Sequence, residues 1–491
     1  MSSDELNFKT DLIIPEKFYK ECSCLEYNVN DLDKIIKLLD CLDPLNILKG
    51  LIGLKKLLLI EGEKEEPNIL YNDINKLFNL LEKYPVDYKY ECIICLTSIE
   101  KINFKNDKQI KNEPTDKIIK ILLYILDYSN QFKIDLLTKD LEYIKILVNN
   151  KDIISKFGFQ NLYKKMMNLI ENEYPDDIMI IELCLDIIYK LYENDEETSE
   201  LKDFVQDLIN FLNDLMDKFE SNKNIIIASL KVIFSITNVN VNVQSSTTPK
   251  VMNKIIEIDL LKKIINKIDK LNPDEDKIEI FISIRIIGNF AAMENSYYTD
   301  KVIELNILDK LKILIQDKYS FDIWKESAWI ISNIAAGTTN QLNLLYDNNF
   351  PDIIFDNVLN GNEDSIKYNI LWALYNFSNI KNMEKLNSLI ERGFIDIIIN
   401  RLKIDQGDIL CCSLEALYNI LKIGKNNDPA NYNIIENKVY ELDILNELKN
   451  FSINYHVTGA AKNKIKDILN NYFGIGDIEQ FLNSNNEVNW K

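Results

Sequence analysis

Four times in the second half of the chain an asparagine stands four residues after a Trp, Arg or Glu: Arg285 with Asn289, Trp329 with Asn333, Trp372 with Asn376, and Glu415 with Asn419. The asparagines are 44, 43 and 43 residues apart, inside the period at which solenoids of stacked helices repeat. Each pair sits in an apolar run of helical character, SIRIIGNFAA, SAWIISNIAAG, ILWALYNFSN and SLEALYNILKIG. Residues four apart on a helix share a face, so each pair points the same way. Asparagine is a poor helix former because its amide competes for backbone partners. Its return in one register of four helices therefore predicts a task on that face beyond folding.

A second register lies between those helices. Glu257-Ile-Asp259-Leu-Leu, Glu304-Leu-Asn306-Ile-Leu, Asp347-Asn-Asn349-Phe-Pro, Glu391-Arg-Gly393-Phe-Ile and Glu441-Leu-Asp443-Ile-Leu each order an acid, a turn-prone residue and two apolar residues. Asn, Asp or Gly at the centre suits a tight bend with left-handed backbone angles. Helix, bend, helix is then one unit, and the fold class is all-α. The chain's 491 residues exceed one ordinary core, yet no break in composition divides them. A stack in which each repeat packs only on its neighbours has no such size limit.

From about Val29 the helical patterns begin. ILKGLIGLKKLLLIEG, ECIICLTSIEKI, IIKILLYILDYSN, IELCLDIIYKLYEN and IIIASLKVIFSITN read as successive apolar helices. Matching Tyr189 with Phe234 and Glu193 with Asn238 gives a step of 45. From Asn238 to Asn289 the step grows to 51, with the excess in the polar, proline-bearing stretch NVNVNVQSSTTPK. Tyr128 to Tyr189 is too long for one repeat, and TKDLEYIKILVNNKDIISKF between them has no clear assignment.

The formal charge of −20 repels nucleic acid and anionic membrane and favours basic partners, although it also serves solubility. Cysteines at 22, 24, 41, 92, 95, 184, 411 and 412 follow no framework spacing. They read as reduced thiols, with Cys92 and Cys95 as packing residues; a single histidine, His456, leaves no metal-ligand set. The first residues, MSSDELNFKTDLIIPEKF, lack the pattern of a signal peptide. Charges interrupt every apolar run short of a membrane span, so neither membrane insertion nor direct nucleic-acid binding is expected. No Gly-rich phosphate loop and no acid–base constellation points to an enzyme, and no cofactor is expected.

KESAWIISNIAAG, followed a repeat later by ILWALYNFSN and preceded by SIRIIGN, resembles the C-terminal half of the importin-alpha family of nuclear-import adaptors. The order carries the resemblance: an Arg repeat, two Trp-x-x-x-Asn repeats, then a repeat without Trp that ends in Asn. Asn470-Asn471-Tyr472-Phe473-Gly474 resembles the family's closing helix, and the likeness spans residues 280–474. It implies an armadillo (ARM/HEAT-like) right-handed superhelical solenoid of about ten repeats. It also implies an adaptor working in cytoplasm and nucleus, with a major peptide site in the early repeats and a minor one in the later. The family's N-terminal arm rich in Arg and Lys, which engages importin-beta, has no counterpart in residues 1–28. The reading therefore divides the chain into that segment, an armadillo array over 29–475 (clearest over 225–475), and an acidic, polar tail over 476–491. Residues matching the minor site are present, whereas upstream only Phe234 with Asn238 keeps the pattern.

The chemistry of such a site follows from its residues. An extended peptide carries unpaired N–H and C=O groups on alternating sides, and an Asn amide can donate to one and accept from the other. Asn289, Asn333 and Asn376, one per repeat, are the expected ladder, and Ser332, Asn419 and Asn238 are further residues expected to bind the peptide. Trp329 and Trp372 are expected to wall slots for Lys or Arg stems, where a cation–π contact contributes about 0.5–2 kcal/mol. Glu326, three residues before Trp329, is placed to meet the cationic head; the same position before Trp372 holds Asn369. Arg285 takes the Trp position of its repeat, either pairing with groups of the peptide or bridging to a neighbouring helix. Trp324 and Trp490 lack an asparagine and read as packing and tail residues. The function expected is a nuclear-import adaptor that binds basic localisation segments in the concave groove. The alternative is an armadillo scaffold outside transport that binds another extended segment.

Overall fold

The computed structural model describes residues 32–40, 44–61, 92, 95, 116–131, 134–194, 202–238, 248–316, 319–360, 369–398, 408–427, 435, 437, 438, 441, 444–453 and 459–473. Among them the only regular structure is helical. The chain divides into two compact units, Met1–Ile236 and Thr237–Lys491.

In the second unit the helices come in threes, and in the first two of these repeats the third helix is the longest. Helices α10 (Thr248–Glu257), α11 (Leu260–Lys267) and α12 (Lys277–Ala291) form one repeat. Helices α13 (Ser296–Glu304), α14 (Ile307–Leu314) and α15 (Phe321–Ala335) form the next, and α16 (Thr339–Asp347), α17 (Phe350–Asn360) and α18 (Asn369–Phe377) the third. Helix α19 (Met383–Glu391), a short helical turn over 394–398 and α20 (Asp408–Asn427) follow, and α21 (Ile444–Ile453) with α22 (Gly459–Phe473) close the unit. Each third helix packs on the next, α12 on α15, α15 on α18, α18 on α20 and α20 on α22.

The bend between first and second helix is the one the sequence register placed. Asp259 (φ 58°), Asn306 (φ 62°), Asn349 (φ 62°) and Gly393 (φ 95°) all adopt left-handed backbone, and Asp443 lies outside the described residues. Left-handed angles cost most L-residues about 1–2 kcal/mol, a penalty that Gly escapes and Asn and Asp offset by local hydrogen bonding. Pro249, assigned to the preceding loop by its sequence, sits instead in the first turn of α10, where a missing N–H has no helical partner to lose.

The first unit repeats the plan. Its described helices are α1 (Leu32–Leu39), α2 (Pro44–Glu61), α3 (Asp116–Asp127), α4 (Ile134–Leu147), α5 (Lys151–Phe157), α6 (Phe159–Asn168), α7 (Ile178–Asn194), α8 (Val205–Lys218) and α9 (Lys223–Thr237). The stretch TKDLEYIKILVNNKDIISKF is the end of a third helix, α4, followed by a first helix, α5. Gly158 (φ 77°) makes the bend into α6, and α4 packs on α7 as third helices do. Tyr128 follows the end of α3, a second-type helix, whereas Tyr189 lies on the third helix α7, which is why their spacing exceeds one repeat.

Both units are filled by close-packed apolar side chains. Tyr143 and Phe159 in the first unit and Phe290, Phe350, Phe355, Phe377 and Phe394 in the second are among the largest fully buried. Burial of each such side chain stabilises by about 1.5–3 kcal/mol. Polar ties between repeats recur at the repeat spacing. Gln341 completes a capping box with Thr338 and donates Nε2 to Asp300 Oδ1 at 2.7 Å and to the Ser296 carbonyl at 3.2 Å. Lys310 pairs with Asp269, Arg392 with Asp352 and Asp356, and in the first unit Lys218 Nζ donates to the Pro175 carbonyl at 2.9 Å. Cys95 Sγ reaches the Leu51 carbonyl at 3.6 Å. Cys92, Cys95 and Cys184 are buried and form no disulfide among the described residues. No described helix is long and apolar enough to cross a membrane.

Candidate functional site

The third helices of the second unit carry the asparagine register, and their packing brings its members into contact. Arg285 on α12 donates from Nη1 to Glu326 Oε2 on α15 at 3.0 Å, and its guanidinium stands 5.5 Å from the centre of the Trp329 ring. Of the two roles open to Arg285, the bridge to a neighbouring helix is therefore made. Glu326 is buried, and one of its oxygens is already engaged. The Trp329 and Glu326 pair thus holds a cation supplied by the chain itself.

The Trp329 ring lies against α12 at Gly288. A Cβ at that position would stand 2.6 Å from Trp329 Cε3 and closer still to Cζ3. Glycine is required by this approach of ring to backbone, since the helix itself would favour alanine.

Three of the asparagines bond back to earlier residues, two of them on one pattern. Asn376 donates Nδ2 to the Ser332 carbonyl at 2.9 Å and to Ser332 Oγ at 3.3 Å, and Asn289 donates to Thr237 Oγ1 at 3.1 Å. Asn419 donates to Asn379 Oδ1 at 2.8 Å. Ser332 and Thr237 each immediately precede an asparagine position, so a hydroxyl in one repeat receives the amide of the next. Asn333 breaks the pattern: its buried Nδ2 has no hydrogen-bond partner among the described residues. The residue that would supply the hydroxyl is Gly288, which has none. The glycine that admits the Trp329 ring thus withholds from Asn333 the hydroxyl that Ser332 offers Asn376 beside its carbonyl.

An unpaired buried amide costs about 1–3 kcal/mol, so the Asn333 Nδ2 is an unsatisfied donor. Trp372, one repeat on, is 41% exposed and meets Tyr375 edge-on with ring centres 5.9 Å apart. Trp329, in contrast, is half-buried. Glu415, in the Trp position of its repeat, pairs with Lys464 of α22 at 2.6 Å. Lys464 in turn lies 4.4 Å from the Tyr418 ring centre. Asn238 is exposed. Trp324 stacks on Phe321 as a packing residue; Trp490 and the side chain of Asn369 lie outside the described positions.

The structure brings together Arg285, Glu326 and Trp329, and joins Asn376 to Ser332. The sequence register located these residues without revealing their acceptors, which sit 40–52 positions away on other helices. It also missed the column's continuation in the first unit. With α4 placed as a third helix, Lys145 and Asn149 occupy the Trp and Asn positions 44 residues before Tyr189 and Glu193. Asn149 caps α4 by donating to the Ile146 carbonyl at 3.0 Å. Among the described residues no group of three or more His, Cys, Asp or Glu is arranged to hold a metal ion.

No protein-family model matches the sequence, and a search of the curated proteins finds no match. Among solved structures, an engineered protein from a structural-genomics consortium aligns over 91% of this chain and 99% of its own, with a TM-score of 0.64 and 13% identity. A designed armadillo repeat protein in complex with the peptide (KR)4 aligns over 56% of this chain and 100% of its own at TM-score 0.43 and 21% identity. Computationally designed armadillo repeat proteins for modular peptide recognition align over 55% and 99% at TM-score 0.44 and 20% identity. The first is a likeness of fold alone. With the three-helix repeats, their left-handed bends and their stacked third helices, the chain has an all-α armadillo repeat fold.

Proposed function

We propose that the face shared by α12, α15 and α18 binds an extended, basic peptide segment. On this reading the protein is an adaptor for partners carrying lysine-rich nuclear-localisation segments, working in cytoplasm and nucleus. One observation carries it: the orphaned Nδ2 of Asn333. The Asn333 side chain is half-buried, so a turn of its amide brings that donor to a peptide carbonyl laid across α15, and the adjacent residues fit what flanks such a backbone. Trp372 offers an exposed ring for an aliphatic stem and its cationic head. The carbonyl oxygens of Asn289 and Asn376 complement their engaged N–H groups by accepting from peptide N–H. The acidic chain, at −20, draws basic partners at a rate that falls with salt.

The engaged state of Glu326 supports a second reading. With Arg285 already on that carboxylate, the Trp329 slot selects less for lysine. The face would then hold an extended segment by backbone and packing alone, as a scaffold outside transport.

Fluorescence anisotropy of a labelled lysine-rich peptide, at two salt concentrations, separates the two. Salt-sensitive binding that a folded Trp372→Ala, Asn333→Ala double variant loses is the expected result. Absence of binding to folded wild type at about 50 µM, an interaction weaker than roughly −6 kcal/mol, overturns the adaptor reading and leaves the scaffold.

A further inference from the structure

The third helices of the first unit carry the same columns as those of the second with a different charge. In the Trp position stand Lys145 (α4), Tyr189 (α7) and Phe234 (α9); three residues earlier stand Glu142, Asp186 and Lys231. Lys145 pairs with Asp186 across a separation of 41 residues, the separation of Arg285 from Glu326 in the second unit. There, one cation meets one acid. Here Lys231 Nζ also approaches Asp186, at 3.5 Å from Oδ1.

Two amines therefore share one carboxylate. The Asp186 side chain is 19% exposed, whereas those of Lys145 and Lys231 are 43% and 40% exposed. The other acids of these columns are held locally. Glu142 pairs with Lys139 at 2.8 Å. Glu193 accepts from Lys190 at 2.6 Å and from the Tyr189 hydroxyl at 2.7 Å. Burial opposes ionisation of Glu193, but those hydrogen bonds outweigh it and hold its carboxyl below the usual range. Tyr189, by burial and by its bond to Glu193, is pushed up to about 12 and stays a donor. Within the Lys145–Asp186–Lys231 cluster itself one positive charge is left in surplus, beside the Tyr189 and Phe234 positions of the same columns.

We infer that this face of the first unit, built on Lys145, Asp186 and Lys231, is a docking surface for an acidic, extended peptide segment of a partner protein. A carboxylate between the two ammonium groups supplies the missing negative charge and converts a three-membered cluster into a balanced four-membered one. The chain's net charge does not forbid it, because fields from charges beyond about 8 Å are screened at physiological ionic strength. Nucleic acid fits poorly: its phosphates follow one another every 1.7 Å or so along the duplex axis and need a longer run of cations than two lysines. This surface is separate from the basic-peptide site proposed above and does not depend on it.

The probe is a labelled decapeptide rich in Glu and Asp, titrated by anisotropy into the full chain. Lys231→Met removes the second amine and leaves the Lys145–Asp186 pair intact, so the fold is retained; circular dichroism verifies it. Expected results are salt-sensitive binding by wild type, weakening of about fivefold or more in Lys231→Met, and unchanged affinity of that variant for the lysine-rich peptide. Failure of wild type to bind the acidic decapeptide at about 100 µM, or equal binding by Lys231→Met, overturns the proposal. Tighter binding of a single-stranded oligonucleotide than of the decapeptide overturns it as well.

Discussion

Gly288 and Asn333 show how a single position couples packing to recognition. The Trp329 ring occupies the space of a Cβ at 288, so Gly288→Ala forces the ring or the α12–α15 contact to move. Overpacking of this kind costs about 1–3 kcal/mol, more than the roughly 1 kcal/mol that alanine returns through helix propensity. Denaturant unfolding is expected to show Gly288→Ala destabilised, and Trp329→Ala to relieve most of that loss in the double variant. Additive effects instead would mean that the ring does not rest on the glycine. The asparagine column was readable from spacing, because four residues on a helix fix a face. Its chemistry was not, because the acceptors Thr237, Ser332 and Asn379 are ordinary residues whose place opposite an amide is set by the stacking of helices.

At the scale of the element, the bends were readable and one helix was not. Asn and Asp in a recurring acid-x-(Asn/Asp/Gly) frame gave the left-handed turns at 259, 306, 349 and 393. At Gly158 the acid is replaced by Lys156, which hid the bend and with it helix α4. That helix also buries a carboxylic acid. Asp140 is fully buried, and neither oxygen has a hydrogen-bond partner among the described residues. Burial alone pushes its carboxyl well above the ordinary value of 3.8. The native state therefore holds this proton where the unfolded chain releases it. The associated stability is complete below the unfolded value and is lost as pH rises from there towards the folded one. Asp140→Asn, which cannot ionise, is expected to raise the melting temperature at pH 7, with the gain fading below about pH 4 as two neutral groups of similar size are compared. Thermal scans by circular dichroism at both pH values check this; a variant less stable than wild type at pH 7 would show that the carboxylate is solvated.

At the scale of the molecule, charge rather than topology sets the next expectation. The chain carries 77 acidic against 57 basic residues, and the ion pairs between repeats are mostly part-exposed, as Lys385–Asp347, Arg392–Asp356 and Lys464–Glu415 are. Pairs of that kind contribute about 0–1 kcal/mol each. They act over a few ångströms, where moderate salt screens little. The excess of acids acts over longer distances and opposes compactness throughout. Raising salt from about 10 mM to about 150 mM shortens the screening length from roughly 30 Å to 8 Å, removing more of the repulsion than of the pairing. The melting temperature should therefore rise across that interval in sodium chloride. A fall would mean that the inter-repeat pairs, and not the stacked apolar helices, dominate the electrostatics of the fold. The sign was open to the sequence reader, who could count the acids but could not see that Asp300, Asp352 and Asp356 each stand beside a donor from the next repeat. Only the acids left without such a neighbour contribute undiminished to the repulsion that salt relieves.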